Sequence, residues 1–399
     1  MTIMKIPFLA PEFENELSLR IGKVRRHMKE SKIDAVLLGS SVNVYYTSGC
    51  VFRGYVYIAS DGAPLFFTIP PSEQEGADPR CHKVRKPEMI ANVLTENGIR
   101  LPHRIGLEYS DLYYSDIERL KACFPDSETA DASAVLRKAR LTKTAYEIEK
   151  MKEDGIRQAT VYSKVRHCYR EDMTDLEFQI EIERVLRLEG CLGILRTAGS
   201  RMELNLGSVI NGDNADVPSP YDFAMGGEGI DPSLPAGASG VTMRPGTTVM
   251  VDMNGGFNGY QTDMTRCWTI GDPGDLARKA HECSRNILRE LEKMAVPGTP
   301  VSKLYSCAVE MATIENLHPH FMGHRHKAPF IGHGVGIELN EQPVLTERSR
   351  DLLEENMTIA IEPKFVIPHV GAVGVENTYR VTPTGLENLT VFPENLEDI

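Results

Sequence analysis

Four carboxylates of this chain stand in or beside apolar, β-prone stretches, and any fold it adopts must balance their charge. Met357-Thr-Ile-Ala-Ile runs into Glu362, and Gly374-Val leads to Glu376, followed by Asn-Thr-Tyr-Arg-Val. Such runs predict strands buried on at least one face. Burying an unpaired carboxylate is costly, so two of them in neighbouring strands point to a shared cation. The plainer alternative is a pair of ordinary ion pairs, with Lys364 and Arg380 as candidate partners.

The other two carboxylates flank a Gly/Asn-rich turn. Thr248-Val-Met-Val leads into Asp252, and the chain re-emerges at Asp263, eleven residues on. A hairpin centred on Phe257 and Asn258 sets Asp252 roughly opposite Asp263. Opposed Cβ atoms lie about 4.5–5.5 Å apart, and two carboxylates that close repel until one is protonated. A divalent cation bound by both removes the conflict. Taken alone, the pair also reads as a strand end and a turn start. His333 stands between glycines in Phe330-Ile-Gly-His-Gly-Val-Gly, which exposes its imidazole for ligation. Taken alone, it also reads as a loop histidine.

The five residues make more sense together. Four carboxylates match the charge of two divalent ions. Oxygen donors with one imidazole suit Mn, Fe, Co or Zn. Two metals roughly 3.5–4 Å apart activate water and polarise a carbonyl. The expectation is a two-metal hydrolase.

With 399 residues, the chain exceeds the roughly 250–300 at which a single core stops growing, so two domains are expected, 1–140 and 141–399. The first third reads as α/β. Leu17, Leu19, Ile21, Val24 and Met28 are spaced for a helix over 12–31, and strands are expected at Ala35, Tyr55, Pro64 and Arg104, with Asp61-Gly62 as a hairpin turn. The stretch 135–144 reads as a domain connection. A capping box opens a helix at Thr174 and Glu177. Further helices are expected near 274–296 and 301–316.

A net charge of −12 argues against nucleic-acid or anionic-membrane partners. No apolar stretch approaches the roughly 20 residues of a membrane span. The N-terminal run soon turns acidic at Glu12, Glu14 and Glu16, too early for a secretory leader. The eight cysteines are scattered without a C-x-x-C pair, which fits reduced thiols in a cytoplasm.

The order Asp, Asp, Gly-His-Gly-x-Gly, Ile-Glu-Pro, Val-Glu-Asn-Thr resembles the creatinase/methionine aminopeptidase/prolidase family. The resemblance implies a pita-bread catalytic domain over about residues 145–399 and a creatinase-type α/β domain before it. It implies that Asp252 binds one metal and His333 the other, that Asp263 and Glu376 bridge both, and that Glu362 binds the second and acts as general base. It implies an Xaa-Pro-type aminopeptidase or dipeptidase acting on short peptides, and a homodimer. The chain departs from the peptidase pattern at three places. Ser219 and Asn340 stand where histidines are usual, and Gly374 stands where arginine is common. Asn340 retains an N–H for a developing oxyanion, and Ser219 is a weaker substitute; both are expected at the substrate wall as catalytic residues. His324 and His326 read as loop residues or as pocket lining, and Arg53 is expected to reach a partner subunit's site. The alternatives are an enzyme of the same fold, resembling the family's dimethylsulfoniopropionate lyases or a small C–N hydrolase, and a non-catalytic binding module. The intact ligand set argues against the module and against a plain creatinase, which needs no metal.

Overall fold

The alternating helical and β-prone runs of the first third resolve into one mixed sheet with helices around it. The structure, a computed structural model, describes residues 11–71, 78–199 and 202–399. The ten opening residues weighed as a leader lie outside that range. The chain divides into two compact units, Met1–Arg140 and Leu141–Ile399. Among the described residues, no helix is long and apolar enough to cross a membrane.

Unit 1 contains α1 (Pro11–Glu30), β1 (Ala35–Leu38), α2 (Ser41–Ser48), β2 (Gly54–Ala59), β3 (Leu65–Thr68), β4 (Cys81–Lys83), α3 (Ile90–Glu96), β5 (Arg104–Leu107), α4 (Tyr114–Ala122), β6 (Glu128–Asp131) and α5 (Ser133–Leu141). The sheet order is β4-β3-β2-β1-β5-β6. Central β1 is buried along its whole length, as its unbroken apolar run predicts. Leu17, Ile21, Val24 and Met28 of α1 are buried, whereas Leu19 faces solvent; it lies off the i, i+3, i+4 stripe. The stretch read as a connection is largely α5, with Val135, Leu136 and Ala139 buried. Its apolar spacing is helical, and the boundary between the two units falls near its end, after Arg140.

Unit 2 contains α6 (Ala145–Val165), α7 (Asp175–Leu188), β7 (Gly207–Asn211), β8 (Thr247–Gly255), β9 (Thr262–Ile270), α8 (Asp275–Met294), α9 (Val301–Ile314), β10 (Phe330–Gly334), β11 (Glu341–Thr346), β12 (Thr358–Ile361), β13 (Lys364–Ile367), β14 (Gly371–Gly374), β15 (Asn377–Thr382), β16 (Gly385–Asn388) and β17 (Glu397–Asp398). The strands form a β17-β9-β8-β7 sheet, a β11-β10-β12-β15-β16 sheet and a β13-β14 pair. Capping boxes start both α6, at Thr144 and Glu147, and α7, at Thr174 and Glu177. Side chains alternate across a strand. Val249, Val251 and Met253 of β8 therefore pack with Tyr162 of α6 and Phe178 of α7, while Met250 packs on the opposite face with Val366 and Ala372. Asp252 shares that second face.

The hairpin register differs from the sequence reading. Asp252 pairs with Thr265, and Asn254 pairs with Asp263. The turn is centred between Asn258 and Gly259, one residue later than expected, so the pairing shifts by two. An even shift keeps both aspartates on one face, as diagonal rather than opposed neighbours. Helix α6 holds this hairpin from behind. Gln158 Nε2 donates to Met253 O at 2.6 Å, Tyr162 Oη accepts from Met253 N at 3.1 Å, and the Asp154 carboxylate accepts from Phe257 N at 3.2 Å.

Two neighbours on α6 yield tests. A Cβ on Gly155 would lie 1.8 Å from Leu389 O, so Gly155→Ala should lower stability by about 1–3 kcal/mol or more, read by urea unfolding. Unchanged stability would show that the contact relaxes freely. Burial pushes the Asp154 carboxyl up to about 7 from 3.8, against the Phe257 N–H that lowers it. With the folded pKa raised, its contribution to stability is full below the unfolded value near 3.8 and is lost as pH climbs through about 7. Asp154→Asn keeps an acceptor for Phe257 but cannot ionise. Its stability should gain on the wild type steadily between pH 4 and 7.5; a constant difference across that range would refute the assignment.

Candidate metal centre

The centre lies where the chain crosses from one sheet to another and back. Ile361 at the end of β12 pairs with Asn377 at the start of β15, and Lys364 of β13 pairs with Gly374 of β14. Glu362 and Glu376 occupy the two crossings between these pairs. Ser284 of α8 ties the crossings together: its Oγ donates to Pro363 O at 2.5 Å and accepts from Val375 N at 3.0 Å. Arg266 fixes the second crossing by donating from Nη1 to Glu376 O and from Nη2 to Asn377 Oδ1, both at 2.8 Å. Strand β10 brings His333, and added Cβ atoms at Gly332 or Gly334 would meet neighbouring carbonyl oxygens at 2.1 and 2.0 Å. The glycine spacing thus allows β12 and β11 to close around the histidine.

All five residues singled out as ligands converge in unit 2. Donor atoms of Asp263, His333 and Glu376 lie within 4.8 Å of one another, as do those of Asp252, Glu362 and Glu376. His333 Nε2 is 3.6 Å from Asp263 Oδ2 and 3.9 Å from Glu362 Oε1. His333 Nδ1 lies 3.1 Å from Gly334 O. A carbonyl only accepts, so Nδ1 donates to Gly334 O and Nε2 is the ring atom turned toward the carboxylates.

The sequence reading did not place a sixth group here, although it weighed Lys364 as an ion-pair partner. The buried Lys364 Nζ donates to Asp252 Oδ2 and Glu362 Oε2 at 2.7 Å and to Glu376 Oε2 at 3.0 Å. The signal was its position two residues after Glu362, which puts both on one side of an extended chain. Arg380, the other candidate partner, bonds Glu387 and Asn356 instead.

The electrostatics divide the centre. Burial, then the charges of Glu376, Asp252 and Glu362, hold the Asp263 carboxyl well above its ordinary pKa. Burial, then Glu362, push Glu376 up to about 8 although Lys364 opposes them. Burial would lower the Lys364 pKa, but Asp252, Glu362 and Glu376 outweigh it and raise it well above the ordinary value. Asp263 Oδ1 and Glu376 Oε1 are buried and accept no hydrogen bond. Orphaned carboxylate oxygens beside an imidazole are the donor set of a divalent cation. The residues on the His333 side therefore fit a metal, whereas Lys364 supplies a cation on the Asp252 side.

Two cavities adjoin the centre. A small one of about 60 Å³ is lined by Asp252, Asp263, His333, Glu362 and Asn340. A larger one of about 410 Å³ shares His333, Asn340, Phe223 and Phe330 and adds Ser219, His326 and Lys327. Asn340 holds the backbone of Ala198, accepting from its N at 2.7 Å and donating to its O at 3.3 Å; Nδ2 has a second N–H. Ser219 Oγ donates its one proton to Pro235 O at 2.8 Å. Ser219 thus reaches the wall as expected, but its proton is committed to the backbone and not to a substrate. His326 lines the wall, while His324 Nδ1 is 3.1 Å from Asp216 Oδ2. Arg53, in unit 1, donates to Pro70 O at 3.0 Å.

Residues 149–383 fit the model of metallopeptidase family M24, and residues 20–142 fit the creatinase/prolidase N-terminal domain. An Xaa-Pro dipeptidase of Pyrococcus furiosus is 28% identical over 93% of this chain and 97% of its own length. Among solved structures, an Xaa-Pro dipeptidase from Bacillus anthracis superposes with a TM-score of 0.79 at 22% identity, covering 96% of this chain and 100% of that one. The Pyrococcus horikoshii prolidase does so at 0.76 and 24%, covering 94% and 99%. These likenesses carry the pita-bread fold. The chain belongs to metallopeptidase family M24, with a creatinase/prolidase N-terminal domain ahead of its catalytic domain, and is a metal-dependent hydrolase.

Proposed function

We propose that the chain is an Xaa-Pro-type dipeptidase or aminopeptidase that cleaves short peptides. The observation that carries this reading is the pair of buried, unpartnered oxygens, Asp263 Oδ1 and Glu376 Oε1, beside His333 in the wall of a 410 Å³ cavity. The near full-length similarity to Xaa-Pro dipeptidases supports the substrate class. Asp263, His333 and Glu376 would hold a divalent ion of the Mn, Fe, Co or Zn class. Such an ion supplies an acidified water and a Lewis acid for the carbonyl. The two-ion expectation assigns the Asp252–Glu362–Glu376 group to a second ion, but Lys364 Nζ already stands among its oxygens.

Glu362 is the proposed general base. Lys364 holds its Oε2, and Oε1 faces His333, so Oε1 is the atom placed to take a proton. The second N–H of Asn340 Nδ2 is the proposed donor to a developing oxyanion. Ser219, with its proton committed, shapes the wall. One observation favours a second reading, a lyase or small C–N hydrolase: at neutral pH neither Ser219 nor Asn340 can deliver a proton as histidine does.

A panel of X-Pro dipeptides and tripeptides with Mn²⁺ or Co²⁺ tests the proposal. Cleavage should be found, and Asp263→Ala should lose most bound metal. Its kcat/KM should fall by more than the roughly 10–100-fold typical of outer-sphere partners. Full metal content in that variant would reject Asp263 as a ligand, and a metal-loaded wild type that cleaves no such peptide would move the assignment to the second reading. We also propose a cytoplasmic homodimer, supported by eight free cysteines and by the pairing common among creatinase-type enzymes. Light scattering at micromolar concentration should give twice the chain mass; a single chain mass would exclude the dimer.

A further inference from the structure

We propose that Lys364 is a built-in cation that takes the place of one metal, so that the chain holds a single divalent ion, among Asp263, His333 and Glu376. This rests on the metal-dependent reading above. It differs from the expectation of two ions, which counted four carboxylates without the lysine.

The first argument is occupancy. Each of Asp252, Glu362 and Glu376 gives an oxygen to Lys364 Nζ, at 2.7, 2.7 and 3.0 Å. An ammonium has three donors and no acceptor, so all three N–H groups are used and the nitrogen sits among the three oxygens. The other group contains no cation of the protein, and it is there that Asp263 Oδ1 and Glu376 Oε1 lack partners.

The second argument is charge. Lys364 and one divalent ion leave the four carboxylates with one net negative charge. A second divalent ion would reverse the sign and lie within a few ångströms of the ammonium. The carboxylate oxygens that would have to screen that contact already accept from the ammonium.

The third argument is that the lysine has nowhere to go. It is 0% exposed, so leaving the carboxylates means burying an unpaired ammonium or opening β13. Its stem runs over Gly374, whose φ is +154°. A Cβ there would lie 3.2 Å from Lys364 Cγ and 2.8 Å from Pro363 O. Glycine on the facing strand leaves the space that the lysine stem fills.

The experiment is metal counting, independent of any substrate. Metal-stripped full-length protein is titrated with Mn²⁺ by calorimetry, then desalted and counted by elemental analysis and native mass spectrometry. The wild type should saturate at one ion per chain, and Lys364→Ala, which vacates the position, should double this to two. Asp252→Asn, which on this proposal loses a lysine contact and not a ligand, should keep its single ion, whereas Asp263→Asn should lose it. Two ions in the wild type, or one in a folded Lys364→Ala, would overturn the proposal. If Lys364→Ala does not fold, loss of the ion from Asp252→Asn overturns it equally. No ion in the wild type would sink both this proposal and the metal assignment. One ion with no X-Pro cleavage would leave this proposal standing and remove the peptidase reading, and two ions with cleavage would do the reverse.

Discussion

Like charges gathered out of water are the constraint on which the catalytic unit depends. Asp263 and Glu376 are buried within reach of Asp252 and Glu362, and their pKa values are raised as a result. Isolated, such a cluster would protonate or come apart. The three bonds from Lys364 hold one half of it together. The other half is held by its scaffold and keeps two oxygens unmatched, which is the condition of a site built to receive an ion.

That scaffold is made of backbone ties. Ser284 clamps both crossings between sheets, Arg266 pins the second from below, and α6 grips the hairpin through Gln158, Tyr162 and Asp154. Carboxylates placed at crossings and strand ends supported in this way stay where they repel one another, because relaxing them would break several buried hydrogen bonds at once. The cost of the cluster is spread over the unit that surrounds it.

The asymmetry has a chemical consequence. On the Asp252 side an ammonium already occupies three carboxylates, whereas His333 lies in the wall of the larger cavity with Asn340, Ser219 and His326. The orphaned oxygens, His333 Nε2 and Oε1 of Glu362 meet on one face of the cluster. The polar groups beyond are weaker proton donors than the imidazoles usual in the family's peptidases. The metal side of the site is thus better defined than its substrate side.

Local chemistry was legible in the residues themselves. The apolar stripe of α1, the buried run of β1, the capping box of α7 and the five ligand candidates follow from spacing and from the cost of burying charge, and the structure gathers those five side chains. The hairpin register was not legible, because turn length decides it and a one-residue error in the turn moves the pairing by two. Nor was the fate of Ser219, whose proton goes to Pro235, or the orientation of Leu19, which lies off the stripe. Lys364 shows the division most sharply. Its spacing from Glu362 put it on the right side of the chain, and only the packing of β13 against β8 and β14 decided that its ammonium would meet three carboxylates at once. A strand's own period fixes the direction of a side chain, but what it meets there depends on neighbours brought together from distant parts of the sequence.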